Sequence, residues 1–405
     1  MLERTIYAAT HHPSFAQGSD ALRQLADLDI SAKQVERLAR RIGAERCGER
    51  DAEVQAYRDL PLTQRKATPA GVAPPGLAVV EMDGGRLQIL DRGATAATAA
   101  TAAKDAPSGH WREDKVGLLV TMTSAVGSGD PCPTIPEHFV EPLRIVKLTR
   151  EIKGSAGLTE DAVPQEASPT DAAAEETQSA YTAPTVAQRS VVATRADVQV
   201  FGGMLAQAAW ARGFYGAERR AFVADGLPCN WGVWERHFSN FTPIVDFIHA
   251  LTYVFNGATA GRAFAEGWAD YTQWIGHVWA GQIEPVLAAL LRRQAELGLP
   301  TDADADTSPR QRVADALSYL QNQKDRMRYA DYRTQGLPIT SSHIESTIKR
   351  INQRVKGTEK FWSEEGAEAI LQLRADTLSE TAPLVAFWQR RQTTASGQRC
   401  YSRTA

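Results

Sequence analysis

The sequence predicts an α/β protein: a mixed sheet flanked by helices, preceded by a helical region and carrying an all-α block late in the chain. Three observations predict it. Apolar runs recur between residues 77 and 122, nearly continuous, as strands covered on both faces require. Beyond residue 190 such runs alternate with helical periodicities. From Ala250 to about Arg333 the strand signal stops, and Trp, Ala, Leu and Arg dominate a helical pattern.

The first zone, 1–60, is helical. Leu22, Leu25 and Leu28 form one apolar stripe, a short turn follows, and Ser31 then caps a second helix with Gln34 at its third position. Val35, Leu38, Ala39 and Ile42 give that helix a buried face, while Lys33, Arg37, Arg40 and Arg41 face outward. The pair fits a helix-turn-helix, with Lys33 and Arg37 as DNA contacts, and fits an ordinary αα-hairpin equally well. Residues 61–75, rich in Pro, Thr and Ala, read as a linker.

A core region follows at 76–249. Its strand signals are Leu77 to Asp83, Arg86 to Leu90 and Val116 to Met122, with flexible insertions at 94–110 and 154–188. Next come a strand at Ser190–Thr194, a helix from Val198 to Arg212, a strand from Arg220 to Asp225, a short helix from Asn230 to Phe238 and a strand from Pro243 to Phe247. Three meandering strands, helix, strand, helix, strand is the order of the ribonuclease-H-like fold. The α-helical insertion occupies 250–335, the C-terminal portion of the core 336–395, and a tail 396–405. In the 336–395 segment a helix starts near Ser341 and another is capped by Ser363.

A chain of 405 residues with 43% hydrophobic content has room for several domains and a real core. No run of eighteen apolar residues occurs, and Met1-Leu2-Glu3-Arg4 opens into polar sequence, so neither a membrane span nor secretion is expected. Cys47, Cys132, Cys229 and Cys400 form no CxxC pair, which suits a reducing cytoplasm. The net charge of −3 hides an uneven distribution. Six acids and no base lie between Lys153 and Arg189, and without that stretch the balance is +3.

Three carboxylates stand out. Asp83 ends the run Val79-Val80-Glu81-Met82 with Gly84-Gly85 behind it, where the glycines read as a sharp turn. Asp225 ends Val223-Ala224 ahead of Gly226. Either Asp-Gly alone reads as a turn, and Glu345 alone as a solvated helix residue. Together they match what a two-metal phosphoryl-transfer site needs, because a buried strand-end carboxylate is costly unless it holds a cation. On the Glu345 helix, Ile344, Ile348, Ile351 and Val355 form an apolar stripe, and Glu345, Lys349, Asn352 and Lys356 a parallel one. An acid for Mg²⁺ beside lysines for phosphates suits a DNA strand; a Glu345–Lys349 salt bridge explains only that pair. Asp246 and His249, three apart at a strand-to-helix junction, are read as a supporting pair; no further His or Cys completes a zinc site. Trp231, Trp234 and Trp362 are read as packing residues.

The chain resembles the DDE transposases of bacterial insertion sequences, most closely the Kra-type group. The likeness rests on Val80-Glu81-Met82-Asp83-Gly84-Gly85-Arg86, on Val223-Ala224-Asp225-Gly226 with Trp231 behind it, on Asp246-Phe247-Ile248-His249-Ala250, and on a C-terminal block. That block runs from Gly336 through Ser341-Ser342-His343-Ile344-Glu345-Ser346, then Arg354-Val355-Lys356-Gly357 and Phe361-Trp362-Ser363-Glu364-Glu365-Gly366-Ala367. The resemblance covers about residues 20–380 and implies a catalytic triad of Asp83, Asp225 and Glu345 on a ribonuclease-H-like core, an Asp-x-x-His signature at Asp246 and His249, and an α-helical insertion before the glutamate. The Ala-rich tract and the 154–188 stretch are long for that family.

The expected activity is cleavage and strand transfer of element-end DNA by two Mg²⁺ ions, Mn²⁺ being able to substitute, bridged by Asp83 and completed by Asp225 and Glu345. Lys349, Asn352, Arg354 and Lys356 are the expected DNA contacts near the site. The expected partners are double-stranded DNA, as terminal repeats and target, and further copies of the chain, in a bacterial, nucleoid-associated cytoplasmic setting. Two rival readings stand beside it: a ribonuclease-H-like nuclease that cuts without joining, and a domesticated or truncated DNA-binding protein with an idle site.

Overall fold

The computed structural model describes residues 1–90, 110–153, 182–357 and 359–394. Along the chain the elements are helices α1 (Leu2–His11), α2 (Phe15–Ala26), α3 (Ala32–Asp59) and α4 (Leu62–Arg65), strands β1 (Leu77–Ile89) and β2 (Trp111–Thr123), and helix α5 (Pro142–Lys153). Strand β3 (Thr185–Thr194), α6 (Val198–Ala211), β4 (Arg219–Ala224), α7 (Pro228–His237) and β5 (Thr242–Val245) follow. Helices α8 (Phe247–Thr259), α9 (Phe264–Trp279), α10 (Ile283–Leu297), α11 (Pro309–Gln323) and α12 (Tyr329–Thr334) form the helical stretch. The described chain closes with α13 (Ser342–Val355), β6 (Phe361–Trp362), α14 (Glu364–Leu378) and α15 (Pro383–Thr394). The protein is α/β, with a mixed sheet of six strands among the described residues, flanked by helices. No helix among the described residues is long and apolar enough to cross a membrane. Residues 94–109 and 154–181 of the two expected insertions, and the tail 396–405, lie outside the described residues.

The chain divides into two units. The first comprises Met1–Thr121, Val186–Glu218 and Ser342–Ala405. In it β1 follows β3 and β2 in the run β3-β2-β1, with β6 pairing parallel to β1 through Gln88–Phe361 and Ile89–Trp362. Contacts of Ile89 with His110 and of Gly85 with Asp114 run in opposite senses, so β1 and β2 are antiparallel. The expected turn at Gly84-Gly85 is absent, and the two short strands expected there are one strand. The glycines serve a different need. A Cβ on Gly85 would lie 2.8 Å from Asp114 Oδ1, so the side chain of β2 occupies the room that glycine leaves.

The N-terminal helices share their core with the last two. Ile6, Leu22, Val35, Ala39 and Ile42 bury against Leu373, Phe387 and Trp388. The expected capping box is present: Ser31 Oγ accepts the Gln34 N–H while Gln34 Oε1 accepts the Ser31 N–H. The helix it starts is not short. It runs 28 residues, about 42 Å, and lies so close to α14 that a Cβ on Gly43 would meet the Ala369 carbonyl oxygen at 2.5 Å. Helix α1, where the sequence reads only as polar, buries Ile6, Ala8 and Ala9.

The second unit comprises Met122–Thr185 and Arg219–Ser341. Strands β4 and β5 pair in parallel, Ala224 opposite Val245. The helical stretch grips β5 through tyrosines: Tyr329 Oη donates to the Val245 carbonyl at 3.0 Å and Tyr332 Oη to that of Pro243 at 3.2 Å. Phe247 packs edge-on against Trp279 and Tyr329, with ring centroids 5.1 and 5.2 Å away. Arg333, fully buried, pairs with Asp130 and lies 4.0 Å over the Trp279 ring, so the cation is compensated on both sides.

Candidate active site

In the second unit, Asp225 and Asp246 follow adjacent parallel strands, and the Asp246 N–H continues the ladder by donating to the Ala224 carbonyl at 2.8 Å. The carboxyl ends of parallel strands are where α/β sheets place ligand-binding groups. Asp225 is half-buried, and its Oδ1 accepts the Leu227 N–H at 3.0 Å and Asn230 Nδ2 at 2.7 Å. Its Oδ2 has no hydrogen-bond partner among the described residues. Gly226 sits at φ +99°, and a Cβ there would lie 2.8 Å from the Tyr319 ring, so glycine is required twice over.

Asp246 is used differently. Fully buried, it accepts N–H groups of Ile248, His249 and Ser341 and lies 2.6 Å from His249 Nδ1. It is the N-cap of α8, and as an acceptor it places the ring proton of His249 on Nδ1. These four contacts brace the start of α8.

In the first unit, Asp83 lies on β1, half-buried, with Oδ1 accepting the next N–H, that of Gly84, at 2.6 Å. Two residues earlier on the same face is Glu81, fully buried, whose Oε2 accepts the Ile344 N–H at 2.9 Å. That N–H belongs to the first turn of α13, where unsatisfied donors and the helix dipole favour an anion. Glu81 thus pins the start of α13 to β1, and Glu345 is the next residue along. The sequence reading missed Glu81; its signal was an acid inside the run Val79-Val80-Glu81-Met82, at the same strand parity as Asp83.

The expected DNA contacts divide. Lys349 and Lys356 are exposed and form no ion pair among the described residues, while Lys356 Nζ lies 5.5 Å from the Trp111 ring centroid. Asn352 is half-buried. Arg354 departs from expectation: it is 2% exposed, its Nε donates to the Ala9 carbonyl at 2.7 Å, and its guanidinium lies 4.3 Å from the Phe15 ring and 5.3 Å from that of Trp362. Burial brings its pKa down to about 10. It closes the C-terminal end of α1 and is sealed from a DNA strand. Lys33 and Arg37 are exposed on α3, Lys33 engaged by Glu36 at 2.7 Å.

Asp114 is a further buried acid that the sequence did not single out. Neither carboxylate oxygen has a hydrogen-bond partner among the described residues, and burial pushes its carboxyl up to about 6 from the ordinary 3.8. Because the folded value is raised, the proton stabilises the fold. That stability is fully present below pH 3.8 and lost as pH rises through about 6. Asp114→Asn is expected to flatten the pH dependence of the unfolding free energy in that window, by about 3 kcal/mol at most. An unchanged pH profile in urea denaturation would contradict this.

The three expected ligands, Asp83, Asp225 and Glu345, offer carboxylate oxygens, the ligand type that Mg²⁺ prefers. In Asp225 one oxygen is held by two donors and the other has no hydrogen-bond partner among the described residues, which leaves it open to a cation. A scan against protein-family models finds no family that matches this chain, and no curated protein is a significant match to it.

Proposed function

We propose that this chain is a DNA transposase of the DDE type, cutting and rejoining phosphodiesters with Asp83, Asp225 and Glu345 as ligands to two Mg²⁺ ions. The observation that carries the reading is the Glu81–Ile344 bond. It ties the strand bearing Asp83 to the first turn of the helix bearing Glu345, so two acids distant in sequence belong to one junction. The order of elements supports a ribonuclease-H-like core: a β3-β2-β1 run, then two parallel strands reached through helices.

In this reading the three carboxylates hold the ions, which when bound supply charge neutralisation at the phosphate and a more acidic water. Lys349 and Lys356, exposed on the helix of Glu345, meet the phosphates. Asp246 holds His249 by Nδ1 and caps the segment leading to it. Water attacks phosphorus and the P–O3′ bond breaks, leaving a 3′-hydroxyl. That hydroxyl then attacks target DNA, forming one phosphodiester as another breaks. Joining two ends calls for at least two copies of the chain.

The test is incubation of the full chain with the DNA flanking its gene. Cleavage and joining that require Mg²⁺ or Mn²⁺ are expected. Cleavage without joining would favour the nuclease reading, and DNA binding with no cleavage in either metal would leave an idle DNA-binding protein.

A further inference from the structure

Asp225 ends a strand at an exposed turn: Leu227, Pro228 and Cys229 all face solvent. Water could satisfy every carbonyl of such a turn, and a glycine at positive φ would leave it free to flex. Instead the turn is gripped from two directions. On its own side, Asn230, only 3% exposed, gives its Nδ2 donor to Asp225 Oδ1 at 2.7 Å, alongside the Leu227 N–H. From α11, Tyr319 Oη donates to the Asp225 carbonyl at 2.7 Å and Gln323 Nε2, itself buried, to the Gly226 carbonyl at 3.0 Å. Tyr319 and Gln323 are four apart, so they leave the helix on one face. The Tyr319 ring covers Gly226 and stacks on Tyr253, centroids 3.7 Å apart and planes 9° off parallel, which fixes its own position. Three side chains, two of them reaching across 94 and 97 residues of chain, converge on one dipeptide.

We infer that Asn230, Tyr319 and Gln323 are positioning residues for Asp225, holding its turn so that Oδ2 alone is presented to a divalent cation. The inference rests on the metal-dependent reading above and adds a task for α11, whose Tyr319 lies 94 residues from Asp225. An anchored Oδ1 makes Asp225 a one-oxygen ligand of set direction. A loose turn would let both oxygens compete, and the ion would bind more weakly. Hydrogen-bond partners of ligating groups are worth about 10- to 100-fold in metal affinity.

The experiment is Mn²⁺ titration of the full chain followed by electron paramagnetic resonance, with thermal unfolding of each variant in parallel. Asn230→Ala is expected to raise the Mn²⁺ dissociation constant about 10- to 100-fold, with the midpoint of unfolding close to that of the wild type. Tyr319→Phe keeps the ring over Gly226 and removes only the hydroxyl; about a threefold to tenfold loss is expected. Gln321→Ala, exposed on the same helix, is expected to change nothing. Wild-type affinity in both Asn230→Ala and Tyr319→Phe would overturn the positioning inference and leave the metal reading standing. No Mn²⁺ binding by the wild type would overturn both. If Asn230→Ala fails to fold, Tyr319→Phe decides.

Discussion

Asp225→Asn is expected to reduce Mg²⁺-dependent DNA cleavage by about 10³-fold or more, with no change in unfolding temperature. In the proposed reading several kcal/mol of charge stabilisation would depend on each ligand, and every 1.36 kcal/mol is about tenfold in rate. The substitution is well suited to its purpose. The amide oxygen of asparagine can keep the bonds that Oδ1 makes to Leu227 and Asn230, so the turn stays intact. Only the second position changes, from an anionic oxygen to an amide nitrogen that repels a cation. Asp83→Asn and Glu345→Gln are expected to behave alike. Asp246→Asn is a poorer test, because that side chain accepts the N–H groups of Ile248, His249 and Ser341 and losing it disturbs the fold. Normal cleavage by any one of the three primary variants would remove that residue from the triad.

The second large effect is on stability. Arg46 on α3 and Asp376 on α14 form a buried pair, Nε to Oδ2 at 2.9 Å, with side chains 6% and 5% exposed. Gln372 adds a neutral donor to Asp376, and Glu49 an acceptor for Arg46. Burial already holds the Asp376 carboxyl above its ordinary range, and Arg46 works against that. Removing one partner strands the other, so Asp376→Ala or Arg46→Ala is expected to cost about 3–5 kcal/mol in urea denaturation. Replacing both, as Arg46→Met with Asp376→Leu, is expected to recover most of it, because no buried charge then remains. A double variant as unstable as the singles would mean the pair is not what holds these helices.

Sequence patterns expose some of these features and conceal others for definite physical reasons. Asp225 and Glu345 were legible because local periodicity locates them: β4 ends at Ala224, and three of the four residues in the apolar stripe of α13 (Ile344, Ile351, Val355) are buried. Asp83 was legible as a strand acid but misplaced as a strand end. The reason for Gly85 lies on β2, in Asp114, and no local pattern carries a cross-strand neighbour. Arg354 is expected at the surface from its charge alone, and it is buried. It falls three residues after buried Ile351, in helical phase with the core, and its neutralising neighbours are the rings of Phe15 and Trp362 rather than an acid. Glu81 was hidden because a buried acid is read as a strand residue until the N–H it accepts, that of Ile344, is known.

The first unit is assembled from three separated stretches of chain, the last beginning at Ser342. Arg46 therefore waits for a partner 330 residues away. At roughly 5–20 residues per second, the growing chain takes on the order of ten seconds or more to pass from the end of the first stretch to the start of the last. Until then the apolar faces of α1, α2 and α3 lack Leu373, Phe387 and Trp388 to cover them, and Glu345 does not yet exist. A nascent chain holding Asp83 and Asp225 is thus both unfinished as a fold and short of its last acid. Ribosomal delay thus holds back the closing helices and, in the proposed reading, the last acid of the site together.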